Sequence, residues 1–148
     1  AAEAARDGKS LEEVAAVARE AAGQMDLYFL LNTLEYLQKG GRIGKAQALL
    51  GGLLSIKPVL RVAEGEVHPF EKVRTRSKAV ARLREIVRRS GPYQRIIVLH
   101  GEAAEEADAL ASDLADLTPG TPIEICAIGP VIGVYTGPGV VGAALRRA

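Results

Sequence analysis

The chain has no tryptophan, one cysteine, one methionine and two histidines in 148 residues, and aromatics are 4% of the total. Each shortage removes a class of function. Cys126 has no second cysteine to pair with, so no disulfide closes within the chain, and a reducing cytoplasm is the expected compartment. It lies in the apolar run Ile123 to Ile128, which predicts a buried, inert thiol. His68 and His100 stand far apart without ligand-spaced partners, so no metal site is expected. His68 precedes Pro69 in a turn-rich stretch and is expected to face solvent. His100 closes an apolar run beside Gly101, a position α/β proteins often use for function, although a structural role is expected for it. No serine, histidine and aspartate form a triad pattern and no close carboxylate pair stands out, so no catalytic residues are assigned. The sequence lacks the roughly 18 consecutive apolar residues that cross a bilayer, and Ala1 to Ser10 has no signal-peptide core. No membrane insertion is expected.

What remains is an aliphatic protein. Apolar residues are 48% and charged residues 25%, enough for one domain with a core of Leu, Ile, Val and Ala. The net charge of +1 is unevenly placed. Lys72, Arg74, Arg76, Lys78, Arg82, Arg84, Arg88 and Arg89 face only Glu85 between positions 72 and 89, so that stretch carries +7 and the rest −6. Glu102, Glu105, Glu106, Asp108, Asp113 and Asp116 form an acidic stretch with no base among them. The basic run has no aromatic residue for base stacking, which argues against nucleic acid. It reads either as a solvated helix face or as a docking surface for an acidic protein partner.

Strand and helix signals alternate, predicting an α/β fold with a mixed sheet, flanking helices and a β-hairpin. Ala1 to Lys9 reads as the tail of a helix. Ser10-Leu11-Glu12-Glu13 is a capping box, followed by an apolar stripe at Leu11, Val14, Ala15, Ala18 and Ala22. Leu27 to Leu31 is a buried-strand run. Asn32 to Glu35 reads as a second capping box, opening a short helix that stops at Gly40-Gly41, and Ile43 to Leu54 as a restarted helix. Pro58 to Val73 reads as a hairpin turning at Glu64-Gly65. Thr75, a candidate cap, opens an amphipathic helix to Arg89. Arg95 to Leu99 is an expected strand, Ala103 to Leu117 a helix and Pro122 to Ile128 a strand. Pro130 to Tyr135 is expected as a further strand and Gly139 to Arg146 as a last helix.

Two glycine-rich motifs concentrate the chemistry. In Leu34-Glu35-Tyr36-Leu37-Gln38-Lys39-Gly40-Gly41-Arg42-Ile43-Gly44 the glycines permit positive φ and close approach, and Arg42 can offer its guanidinium to a carboxylate or phosphate. It also reads as a helix cap followed by a surface arginine. Gly129-Pro130-Val131-Ile132-Gly133-Val134-Tyr135-Thr136-Gly137-Pro138-Gly139 lacks dinucleotide and P-loop spacing. It reads either as a tight turn or as a site where Thr136 and the N–H groups of a following helix receive an anionic head group. A nucleotide-binding α/β enzyme using this turn stays open beside a protein-interaction module using the basic helix.

Together with Ile56-Lys57-Pro58 and Lys72-Val73-Arg74-Thr75-Arg76, these motifs resemble, in order and over nearly the whole chain, the DegV family of bacterial fatty-acid-binding proteins. The family has two α/β domains with the fatty acid between them, and residues 1–148 resemble its C-terminal domain. The resemblance implies a lipid-binding protein that needs no cofactor and catalyses nothing itself. It holds a long-chain fatty acid and presents the carboxylate to a partner fatty acid kinase. It also implies Arg42, Tyr135, Thr136 and Gly137 near the head group, Ile43 and Ile56 along the tail, and Arg74 and Arg76 toward the partner. The family usually has histidine where this chain has Tyr135. A phenol can hydrogen-bond a carboxylate but cannot, like imidazole, become a cation.

Overall fold

The computed structural model describes residues 1–50 and 56–148. Its centre is a six-stranded sheet in the order β3-β2-β1-β6-β4-β5. The strands are β1 (Met25–Leu30), β2 (Val59–Ala63), β3 (Glu66–Glu71), β4 (Tyr93–Gly101), β5 (Glu124–Ala127) and β6 (Val140–Arg147). β4 and β5 pair in parallel, and every other neighbouring pair is antiparallel. The α/β class with a mixed sheet and a hairpin is therefore the fold. The hairpin turns at Glu64 and Gly65, both at positive φ.

The period-2 rule sorts side chains onto two faces. One face carries Tyr28, Leu30, Val59, Ile96, Val98, Val141, Ala143 and Leu145, and is covered by α4 (Arg76–Ser90) and α5 (Ala104–Leu114). These helices contribute Ala79, Leu83, Ile86, Val87, Ala107, Leu110 and Leu114, at the spacing of an amphipathic stripe. The opposite face carries Phe29, Leu60 and Val140 beneath α3 (Glu35–Lys39) and a 3₁₀ turn, Gly44–Leu49. α6 (Pro130–Thr136) covers it only in part. Two further helices, α1 (Ala2–Arg6) and α2 (Leu11–Gly23), precede β1. The capping box at Ser10 and Glu13 forms, yet α2 buries no residue and Leu11 is 79% exposed.

Several expectations are corrected. Pro130 to Tyr135 is a helix, because Pro130 fits the first helical position after Gly129 and contacts with α3 outweigh the strand preference of Val131, Ile132 and Val134. Gly139 to Arg146 is not a helix. It forms β6, whose register with both β1 and β4 satisfies its backbone along two edges and overrides the helix preference of Ala143, Ala144 and Leu145. The capping box at Asn32 does not form; the Thr33 hydroxyl accepts from Glu35 N–H at 3.2 Å. Thr75 precedes α4 without a side-chain capping bond. The helix expected over Ile43 to Leu54 is a 3₁₀ turn that ends at Leu49, and its last part lies outside the described residues. Cys126 is exposed, because β5 is an edge strand with all four residues open. His68 is half-buried, and its Nε2 is buried without a partner. No helix among the described residues is long and apolar enough to cross a membrane.

Candidate functional site

The two glycine motifs meet on the less-covered face of the sheet. α3 closes as a paired-bond C-cap. Gly41 N–H reaches Gln38 O at 3.1 Å and Arg42 N–H reaches Leu37 O at 2.9 Å. This geometry needs the positive φ of Gly41, +66°. The turn sets Arg42 on the wall of a cleft. α3 then packs on α6 by exchanging rings for glycines. A Cβ on Gly40 would lie 2.2 Å from the Tyr135 ring, and one on Gly137 would lie 2.4 Å from the Tyr36 ring. Each motif is glycine-rich where the other's tyrosine crosses it.

Beneath this contact runs a cleft of about 320 Å³. Its floor is the sheet: Leu27 and Phe29 from β1, Val62 from β2, Val67 from β3, Leu99 from β4, and Val140 and Gly142 from β6. Its walls are Leu37 and Arg42 on one side and Ile128, Ile132, Tyr135 and Thr136 on the other. Among the described residues, Arg42 is the one charged residue that lines it. The guanidinium sits 5.7 Å from the centre of the Tyr135 ring, within cation–π range. No ion pair of Arg42 occurs among the described residues. An apolar trough with one cation at its wall is suited to a molecule with a long apolar body and an anionic end.

The structure thus brings Arg42, Tyr135 and Thr136 together. It places Ile43 and Ile56 in the packing under α3 and the 3₁₀ turn, away from the cleft lining. Gly137 supports Tyr36. The expected anion site at a helix start after Gly139 is corrected, since β6 follows and Thr136 ends α6. The Thr136 hydroxyl donates to Ile132 O at 3.1 Å and the residue is 8% exposed. The sheet floor was missed as a site because alternating Leu27 and Phe29 read simply as buried strand.

Half of the basic run is ion-paired, three of its arginines with the acidic run. Arg84 of α4 pairs with Asp113 of α5 at 2.7 Å, and Arg88 of α4 with Asp116, just after α5, at 2.8 Å. Arg76 grips Glu106 through Nε at 3.1 Å and also through its terminal nitrogen. Arg82 pairs with Glu71 at 2.6 Å and with Glu85. The Arg82 hydrogen bond, followed by its charge, holds the Glu71 carboxyl below the ordinary carboxylate range against the opposing effect of burial. Among the described residues Lys72, Arg74, Lys78 and Arg89 make no ion pair, and Arg74 is exposed just before α4. A second, polar hollow lies at the ends of β1 and β4, lined by Asn32, Arg76, His100 and the carboxylates Glu102, Glu105 and Glu106. Three carboxylates make it a poor phosphate site. Together with the missing helix after Gly139, that removes the support for a nucleotide-binding enzyme.

A family model described as "Uncharacterised protein, DegV family" matches residues 1–148. The chain belongs to the DegV family. A DegV domain-containing protein of Streptomyces coelicolor is 46% identical over 145 residues, covering 96% of this chain and 52% of the relative. This DegV chain thus spans about half the length of the curated relatives it matches. Among solved structures, a DegV family protein of Thermus thermophilus described by its fatty acid binding is similar at a TM-score of 0.84 and 34% identity. That match covers 99% of this chain and 54% of the neighbour. A fatty acid binding DegV family protein of Streptococcus agalactiae is similar at 0.82 and 33% identity, covering 99% and 53%.

Proposed function

We propose that this chain is the C-terminal half of a two-domain DegV protein that binds a long-chain fatty acid and offers its carboxylate to a partner fatty acid kinase. The observation that carries the reading is the apolar cleft with Arg42 as the one charged residue among the described residues that line it. The acyl chain lies along the β-sheet floor, and the carboxylate sits at the Arg42 and Tyr135 end. Burying each methylene contributes about 0.8 kcal/mol, so the tail supplies most of the affinity and Arg42 sets its direction. Solved relatives described as fatty acid binding share the fold and about a third of the residues. No catalytic role is assigned to any residue; the protein acts as a carrier. The other half of the parent covers the cleft.

The kinase meets the edge where Arg74 stands exposed before α4. Arg76, tied to Glu106, positions that edge and is not free to reach a partner. Native mass spectrometry of the full-length protein, with lipid extraction, is expected to find a bound fatty acid and uptake of added oleate. Arg42→Ala should weaken oleate binding about tenfold, in the range of one hydrogen-bonded charge. A wild-type protein that stays empty in both measurements would remove the reading.

A further inference from the structure

We infer that Asn32 is a positioning residue that fixes the ligand-side turn relative to the partner-side edge. The inference rests on the fatty-acid and kinase reading above. Asn32 follows β1 and lies between the Gly137-Pro138-Gly139 turn and the start of α4. Its side-chain Nδ2 donates to Pro138 O at 3.1 Å, in the turn that connects Tyr135 and Thr136 to β6. Its Oδ1 accepts from Arg76 Nη1 at 3.3 Å, at the first residue of α4. Its backbone carbonyl accepts from Lys57 Nζ at 2.8 Å, and Lys57 N–H bonds Val73 O at 2.7 Å. One residue therefore ties the Gly137-Pro138-Gly139 turn to both ends of the segment that carries Arg74.

The turn is shaped to receive that amide. A Cβ on Gly139 would lie 2.1 Å from Asn32 Nδ2, and Gly139 has φ +81°. Gly139 N–H is also anchored to Gly101 O at 2.7 Å. No side chain other than hydrogen leaves room for the Asn32 contact there. An amide suits this place because it is donor and acceptor at once. Aspartate would keep the bond to Arg76 but set a carboxylate against the Pro138 carbonyl. Transfer of a phosphoryl group to a bound carboxylate depends on the angle between the docked partner and the head group, and a displacement of about 1 Å can cost on the order of a hundredfold in rate. Asn32 governs that angle without touching the lipid or the partner.

The test uses the full-length protein loaded with oleate and its cognate kinase. For Asn32→Ala and Asn32→Asp the expected result is oleate loading within twofold of wild type, an unchanged KM for the loaded protein, and a kcat for acyl phosphate lowered roughly 10- to 100-fold. Arg74→Ala is expected to show the opposite split, with KM raised and kcat kept. If Asn32→Ala does not fold, Asn32→Asp, which retains the Arg76 bond, carries the test. Wild-type kcat in both Asn32 variants would overturn the inference and leave the lipid reading standing, as would a loss of loading parallel to the loss of turnover. A wild-type protein that takes up no oleate would overturn both.

Discussion

Gly40 and Gly41 are adjacent, and they do different work. Gly40 makes room for the Tyr135 ring, whereas a side chain on Gly41 would meet open space, and Gly41 is needed only for its φ of +66°. Gly40→Ala must push the ring away from Arg42, an overpacking cost of about 1–3 kcal/mol that falls on the cleft. Gly41→Ala meets only left-handed backbone strain, about 1–2 kcal/mol. Both variants should melt lower, but only Gly40→Ala should also bind oleate measurably more weakly in the full-length protein. Equal affinity in the two would show that the ring contact does not shape the site. The sequence marked these glycines as special, and marked Arg42, but not what they face. Gly40 and Tyr135 lie far apart along the chain, and no local pattern pairs them. Asn32 was hidden for the same reason: it resembled a helix cap, and its partners Pro138 and Arg76 are distant in sequence.

Among the elements, the two helices of the covered face were legible because their apolar stripes repeat at helical spacing. The last two elements were read the wrong way round. Val131, Ile132 and Val134 favour a strand by local preference, and Ala143, Ala144 and Leu145 favour a helix, so tertiary pairing decided both. The basic run was legible as a helix, but not that four of its arginines are ion-paired, Arg76 and Arg84 with α5, Arg88 with Asp116 and Arg82 with Glu71 on β3. That last pair gives a pH prediction. Glu71 titrates lower in the folded protein than in the unfolded chain. Its stabilising contribution is complete above the unfolded value, about 4.3, and fades as the pH falls through the lower folded value. Glu71→Gln should therefore lower the unfolding free energy from urea titration at pH 7 by a small amount, under about 1 kcal/mol for a pair this exposed. The difference from wild type should close in acid. A deficit that persisted at pH 2 would assign the effect to packing and not to charge.

At the scale of the whole molecule, one sheet face is sealed and the other is only partly covered by the described residues. Val131 is 73% exposed, Val134 64% and Ile132 53%, all on α6, beside a cleft floored with aliphatic side chains. The isolated 148-residue chain is expected to fold, to bind oleate at least tenfold more weakly than the full-length protein, and to self-associate through that face. Sedimentation and fatty-acid titration of both forms check this, and full affinity in the isolated chain would refute the two-domain site. The α/β class and the hairpin were readable from the alternation of elements. The strand order was not, because β6 contributes the residues that join β1 to β4 and was itself misread.

That strand order carries a consequence for how the chain reaches its fold. β6 is the last strand in the sequence yet lies between β1 and β4. Until it emerges from the ribosome, the β3-β2-β1 half and the β4-β5 half have no common edge, and each exposes an unpaired strand. Sheet completion must wait for residues 140–147, so assembly is dominated by distant pairings and should be slow for a domain of this size. Removing residues 140–148 should then leave two sheet halves held together through α4, with a melt lower and less cooperative than that of the whole chain.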